Sequence, residues 1–124
     1  MLFRSGTVTD VLLTFTGPLV ESGSLPDGRY TLTIFAAQVT ANGLQLDGNN
    51  DGVGGDDHVV PSSGTGGIFR IFGDADGDAS VAANDFIQFR LALGGNNPTF
   101  DYDNDGAVAA SDFIQFRLHF GGSI

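Results

Sequence analysis

The chain has no cysteine and no lysine among its 124 residues. Without cysteine, no disulfide can strengthen a fold of this size. Without lysine, five arginines carry the fixed positive charge, and the formal net charge is −10. Such a chain cannot neutralise phosphates, so we expect no nucleic-acid partner. A small domain that lacks disulfides needs another cross-link, and bound metal ions are the one that remains.

Long apolar runs are missing as well. No stretch approaches the roughly 20 residues that a membrane-spanning helix requires, so we expect no membrane span. The opening segment MLFRSGTVTDVLLTF lacks the basic start and the continuous apolar core of a secretion signal. The sequence also shows no Ser/His/Asp set, no phosphate-binding loop and no cysteine nucleophile. We therefore expect no enzymatic activity.

Residues 1–73 have the pattern of a β domain. Apolar and polar residues alternate in two stretches, Val11, Leu13 and Phe15 followed by Tyr30, Leu32 and Ile34. This alternation predicts half-buried strands, and a third strand is predicted from Ile68 to Phe72. We expect an antiparallel β-sandwich that these few strands complete only in part. Its open edge is then covered either by the upstream part of a longer protein or by another molecule.

The acidic residues are concentrated in three glycine-rich loops, and only Asp10, Glu21 and Asp27 lie elsewhere. Two of the loops open near-identical segments, DADGDASVAANDFIQFRLALGG from Asp74 and DYDNDGAVAASDFIQFRLHFGG from Asp101. In each segment the loop leads into an apolar stripe at helical spacing and a Gly-Gly stop. This repeat predicts one binding unit used twice, with two antiparallel helices in a second domain, residues 74–124.

The loop that begins at Asp101 fits a twelve-residue calcium loop. Such a loop takes side-chain oxygens at positions 1, 3, 5 and 12, a backbone carbonyl at 7, and a glycine at 6. The matching residues are Asp101, Asp103, Asp105 and Asp112, with Ala107 at position 7 and Gly106 at position 6. Alternate carboxylates on a tight loop repel one another unless a cation lies among them. Val108, at position 8, is expected to pack between the paired loops.

The loop that begins at Asp74 has the same ligand pattern with one departure. Its predicted ligands are Asp74, Asp76, Asp78 and Asp85, with the carbonyl of Ser80 at position 7. Position 6 is Ala79, and an alanine forced to positive φ costs on the order of 1 kcal/mol. We therefore expect loop one (residues 74–85) to bind calcium more weakly than loop two (residues 101–112).

A third candidate loop lies at residues 47–57 within the β half. Its first half follows the calcium-loop pattern. Its second half does not, because Asp56 and Asp57 come before position 12 and no helix follows. The predicted ligands are Asp47, Asn49, Asp51, Val53, Asp56 and Asp57. We call residues 47–57 loop three and expect a calcium-bound turn between strands, with a metal-free Gly/Asp-rich turn as the alternative.

The last fifty positions resemble the dockerin module, in which a duplicated D-x-[DN]-x-D-G-x-V-x-x-x-D loop precedes each of two helices. The resemblance implies two calcium sites and docking onto a cohesin module. By position in that pattern, the partner-binding residues would be Ala83, Asn84, Arg90, Leu91, Ala110, Ser111, Arg117 and Leu118. Because the two sets are nearly the same, the resemblance also implies docking in two orientations.

The sequence thus predicts an α+β chain in two parts, a β-sandwich segment and a pair of calcium loop-helix motifs. The first functional hypothesis is a calcium-binding interaction module that acts outside the cell or at its surface, with a cohesin-like protein as partner. The second is a calcium-rigidified structural subunit of a surface assembly or filament, in which copies join through β-strand edges. A role as the accessory tail of a hydrolase is a distant third.

Overall fold

The computed structural model describes residues 2–5 and 8–124. These residues divide into two compact units, one of residues 27–71 with Ile124, the other of residues 72–123 with the described residues up to Pro26. The division predicted from the sequence falls instead at Gly73, between residues 1–73 and 74–124, and it stays a prediction. Each unit has its own short strands and its own buried residues.

All described strands are short and pair antiparallel, two by two. The strands are β1 (Leu2–Ser5), β2 (Val8–Val11), β3 (Gly28–Tyr30), β4 (Leu32–Ile34), β5 (Thr40–Ala41), β6 (Leu44–Gln45), β7 (His58–Val60) and β8 (Ile68–Arg70). β1 pairs with β2, β3 with β8, β4 with β7, and β5 with β6. The β5–β6 turn is Asn42-Gly43, with φ of 53° and 81°, the left-handed pair that two-residue hairpins require.

The β-sandwich predicted for residues 1–73 is not confirmed, because the described strands form four separate two-stranded pairs and no closed barrel. β2 ends at Val11, so Leu13 and Phe15 lie outside the strand that their alternation predicts. Val11, Leu12 and Leu13 are all more than half exposed. Because neighbouring apolar residues of both alternate sets are exposed here, no buried face selects one set over the other. β8 likewise ends at Arg70, before the predicted Phe72.

Two helices dominate the unit that contains residues 72–123. α1 spans Ala83–Ala92 and α2 spans Ala110–His119, ten residues each. Both stop where the sequence predicts, at Gly94 and Gly121, whose φ values of 81° and 83° are left-handed. Among the described residues no helix has the length and hydropathy needed to cross a bilayer.

The core of this unit is mainly aromatic. Its buried apolar residues are Phe72, Val81, Phe89, Phe100, Val108 and Phe116. Phe116 and Phe89 lie at its centre, with ring centroids 4.9 Å apart. The broad apolar stripe predicted for each helix is only partly buried, because Ile87 and Leu91 on α1 point away from this core and are exposed. The structure therefore separates the helical apolar residues into a packed set and an exposed set.

Backbone hydrogen bonds join the start of each helix to the end of the other. The Val81 N–H donates to Gly122 O at 2.9 Å, and the Gly121 N–H donates to Val81 O at 2.8 Å. Val108 makes the same two bonds with Gly94 and Gly95, at 2.9 and 2.8 Å. The helices therefore run antiparallel. The Val108 backbone thus pairs with the Gly-Gly stop of α1, and its side chain is 1% exposed. That this side chain packs between the paired loops stays a prediction.

Candidate metal centres

The structure brings three carboxylates together in each loop of the repeat. Ligand oxygens of Asp74, Asp76 and Asp85 lie within 4.8 Å of one another in loop one. Those of Asp101, Asp103 and Asp112 do the same in loop two. Two unit charges at this distance repel by about 1 kcal/mol in water and about 3.5 kcal/mol at an effective dielectric constant of 20. Each group could hold a metal ion.

The last aspartate of each loop is the buried member of its group. Asp85 is 1% exposed and Asp112 is 0% exposed. Asp112 accepts hydrogen bonds from the N–H groups of Tyr102 at 2.8 Å and Ala109 at 2.7 Å. Asp85 accepts the equivalent bonds from Ala75 and Ala82, at 2.8 and 2.7 Å. One carboxylate thus caps the helix start and ties it back to the beginning of the loop.

In loops one and two, the aspartate at position 5 lies apart from the three carboxylates that come together. Asp78 and Asp105 fall outside the groups of mutually close oxygens. Asp78 accepts from the backbone N–H of Ser80 at 2.8 Å, and Asp105 accepts from that of Ala107 at 2.9 Å. These bonds hold the position-7 backbone next to the position-5 carboxylate. That Asp78, Asp105 and the carbonyls of Ser80 and Ala107 bind the ion stays a prediction.

All three loops share the same two left-handed backbone positions, 4 and 6. In loops one, two and three, position 4 is Gly77, Asn104 and Asn50, respectively. Position 6 is Ala79, Gly106 and Gly52 in the same order. Their φ values lie between 57° and 92°. The left-handed backbone at position 4 was not predicted, although asparagine and glycine there carry the same signal as glycine at position 6, because these residues tolerate that backbone best.

Ala79 has the strained backbone that its place in the loop predicts, with φ of 68°. We expect Ala79→Gly to stabilise the protein by about 1 kcal/mol and Gly106→Ala to destabilise it by a similar amount. A Cβ added at Gly106, where φ is 92°, meets no atom within 4 Å, so this pair of variants isolates backbone strain from steric clash. Urea unfolding in calcium would measure both changes, and equal stability of Ala79→Gly and the parent protein would contradict the ranking of the two loops.

Loop three repeats the first half of loop two. Asp47 accepts from the N–H groups of Asp51 at 3.1 Å and Gly52 at 2.8 Å. Asp101 accepts from Asp105 and Gly106 at 3.1 and 2.9 Å. Oxygens of Asp47, Asp51 and Asp56 lie within 4.8 Å of one another, so this loop also gathers a group that could hold a metal ion.

The three remaining predicted ligands of loop three, Asn49, Val53 and Asp57, each form a hydrogen bond with the backbone or with Asp51. Asn49 accepts from the Asp51 N–H at 3.0 Å, next to the acidic group. Asp57 accepts from the Ala36 N–H at 2.8 Å and is not a member of that group. The Val53 N–H donates to Asp51 at 2.8 Å, as its counterparts do in the other loops. Asp57 therefore supports the 3₁₀ turn at Ala36–Gln38.

The environment of Asp74 in loop one disfavours the charged form of its carboxyl. Partial burial raises the pKa of its carboxyl above the ordinary value, and the neighbouring Asp85 carboxylate raises it further. Backbone N–H groups of Gly77, Ala79 and Asp78 act in the opposite direction. Loss of solvent and a nearby like charge both disfavour an ionised carboxyl. A bound cation would favour the ionised form and so offset both effects.

The predicted partner-binding residues all lie on the exposed surface of the helices. They are Ala83, Asn84, Arg90 and Leu91 on α1, and Ala110, Ser111, Arg117 and Leu118 on α2. Leu91 is 83% exposed and Leu118 is 73% exposed. Ile87 and Ile114, one turn earlier, are also more than half exposed. Both isoleucines lie beside the predicted partner-binding residues, so the structure adds them to the candidate docking surface.

No protein-family model, curated protein or solved structure matches this chain.

Proposed function

We propose that this chain is a calcium-binding module that docks onto a protein partner outside the cell. The observation that carries the proposal is the duplication of both the acidic loop and the exposed helical patch. Each loop gathers three carboxylates, one of them on a buried aspartate. Each helix presents Ile, Arg and Leu at matching positions. The pairing of two such units supports the resemblance to dockerins.

The donor chemistry of the loops favours calcium. The three groups contain only carboxylates, and no histidine takes part in any of them. Hard oxygen donors suit Ca²⁺, whereas softer transition metals prefer imidazole or thiolate. Asp101, Asp103, Asp105, Asp112 and the Ala107 carbonyl would hold the ion in loop two. Loop one offers the equivalent set, and in loop three Asp47, Asn49, Asp51 and Asp56 are the proposed ligands.

A bound ion supplies the positive charge that the clustered carboxylates lack. The chain's own part is to hold those carboxylates at the starts of α1 and α2. Asp85 and Asp112 join loop and helix directly through their paired backbone hydrogen bonds. An ion that fixes the loop backbone therefore also stabilises the helix that follows and the exposed patch on that helix.

The charge distribution supports a protein partner for the helical patches. The exposed side of α1 carries Arg90, and that of α2 carries Arg117, while the acid in each helix is buried. Exposed leucine and isoleucine flank each arginine. These patches are therefore apolar and basic on a chain whose net charge is −10, and a partner surface of apolar and acidic character fits them.

The proposed location follows from the expected affinity. The strained Ala79 backbone in loop one and the irregular end of loop three both weaken calcium binding. Extracellular calcium modules work with dissociation constants of about 10⁻⁴ to 10⁻³ M, and sites of that strength are filled only outside the cell. We accordingly place the module at the cell surface or in the extracellular medium.

The second candidate function is a calcium-rigidified subunit of an assembly joined through strand edges. The two-stranded pairs and the exposed Val11–Phe15 segment support it, because each strand in such a pair has an edge open to another chain. A partial sandwich completed by a second molecule would be the corresponding fold. The size of the chain in solution discriminates the two functions, since only the second predicts long polymers of the chain alone.

The docking proposal is tested by charge substitutions in the two patches. We expect Leu91→Asp alone and Leu118→Asp alone to keep calcium-dependent one-to-one binding to a cohesin-like domain, within about twofold, because the other patch remains. The double variant should lose at least about 30-fold in affinity, the effect of removing a central anchor of roughly 2 kcal/mol. Calorimetry against a panel of cohesin-like domains measures this. Calcium-loaded protein that binds none of them and forms polymers would favour the second function.

A further inference from the structure

A half-open pocket of about 360 Å³ lies between the two helices. Its lining residues are Phe86, Phe89, Arg90, Leu93, Ala110 and Phe113. All but Arg90 are apolar. A cavity of about 150 Å³ is enough to hold a benzene ring inside a protein, so the pocket can receive a side chain of the size of phenylalanine.

The pocket lies where the repeat departs from its own symmetry. Leu93 and Phe120 occupy the same place in the two segments. The Phe120 ring packs near Phe86 and Phe116, with ring centroids 6.5 and 6.1 Å away. The corresponding neighbours of Leu93 are Phe113 and Phe89, and both line the pocket. Leucine has no ring to place between them, so the pocket marks the position that a second phenylalanine would fill.

Arg90 is the charged residue among those that line the pocket. Within the described part of the chain, no carboxylate forms an ion pair with Arg90. The carboxylate of Asp85, the acid of the same helix, is buried and accepts backbone hydrogen bonds at the helix start. An arginine that lines an apolar pocket, and that has no ion pair among the described residues, is complementary to a partner carboxylate that adjoins a large apolar side chain.

We propose that this pocket receives one large apolar side chain of the protein partner, with a partner carboxylate beside it facing Arg90. The inference rests on the proposed docking function, because Arg90 and Ala110 belong both to the pocket and to the docking patches. Its consequence is that the two docking orientations make different contacts. One orientation brings the partner side chain into the pocket at Leu93, and the other brings it against the ring of Phe120.

The test uses the calcium-loaded protein and a peptide probe, acetyl-Gly-Phe-Asp-Gly-amide, followed by NMR. We expect the peptide to move the signals of Leu93 and Ala110, with millimolar affinity. Leu93→Phe should abolish these shifts, and because a phenylalanine is already packed at position 120, this variant should fold. Phe120→Leu should create a second set of shifts at the other end of the helix pair.

The role of Arg90 has a matched control in the repeat. The peptide with Asn in place of Asp should bind about threefold more weakly, the effect of losing one exposed ion pair. Arg90→Gln should remove this difference between the peptides, whereas Arg117→Gln should leave it unchanged.

Equal binding of the Asp peptide to the parent protein and to Leu93→Phe would overturn the inference, as would unchanged Leu93 and Ala110 signals in folded, calcium-loaded protein. If calcium does not order the helices, which circular dichroism of the same samples shows, the proposed function fails and the inference falls with it.

Discussion

We expect removal of calcium by a chelator to unfold the two helices. Each filled site contributes about 2.7 kcal/mol when free calcium is a hundredfold above the dissociation constant. If both loops of the repeat bind calcium as proposed, they together contribute about 5 kcal/mol, which is comparable to the whole stability of a small domain. α1 and α2 have ten residues each, and isolated helices below about 12–15 residues are marginal in water. On this proposal, the helices and their shared core lack enough stabilisation to persist without the ions.

Circular dichroism during a chelator titration measures this effect. We expect most of the helical signal to disappear and to return when excess calcium is added. The signal should return less completely with magnesium, which demands stricter octahedral geometry and gives up its water reluctantly. A helical signal that stays unchanged after exhaustive chelation would refute calcium as the stabilising ligand.

A single substitution provides an internal control for the electrostatic part of this prediction. Asp103→Asn removes one charge from the loop-two group and keeps an oxygen that can accept the Asp105 N–H, now 3.3 Å away. In calcium this variant should be less stable than the parent, because a ligand charge is lost. In chelator it should be more stable, because like-charge repulsion is reduced. A change of the same sign in both conditions would show that the carboxylates do not act as a cation site.

The second large effect is expected at the centre of the aromatic core. Phe116 is 1% exposed, and its ring centroid lies 4.9 Å from that of Phe89 and 6.0 Å from that of Phe100. Truncation of a buried phenylalanine to alanine costs about 3–5 kcal/mol, because the transfer free energy is lost and a cavity remains. We therefore expect Phe116→Ala to destabilise the calcium-loaded protein by about 3–5 kcal/mol in urea unfolding.

Leu118→Ala is the matched control for Phe116→Ala. It lies two residues away on the same helix and is 73% exposed, so its cost should be within about 0.5 kcal/mol. Phe116 also explains why Gly73 precedes loop one. A Cβ at Gly73 would come within 2.9 Å of the Phe116 ring, and φ of Gly73 is 92°. If the two alanine variants were equally stable, the core would not be organised around Phe116.

The acidic loops and the helices could be predicted from the sequence because their determinants are local. In loop two, Asp101, Asp103 and Asp112 are close in the chain, and turns at left-handed residues such as Gly106 bring them together. The helix ends at Gly94 and Gly121 follow from the same local backbone preference. In loop three the first half was predictable for the same reason, whereas Asp57 was not, because its partner Ala36 lies 21 residues away.

Amino-acid order by itself determined where the chain turns, where its helices stop and where its carboxylates gather, since these features arise from interactions within about a dozen residues. Tertiary structure decided which apolar residues are buried. Phe89 and Phe116 face each other while Leu91 and Leu118 remain exposed, and periodicity alone did not distinguish them. Tertiary structure also decided that Val108 pairs with Gly94 and that β3 pairs with β8 across about forty intervening residues. Such pairings depend on which distant surfaces meet, and local conformational preference carries no information about that choice.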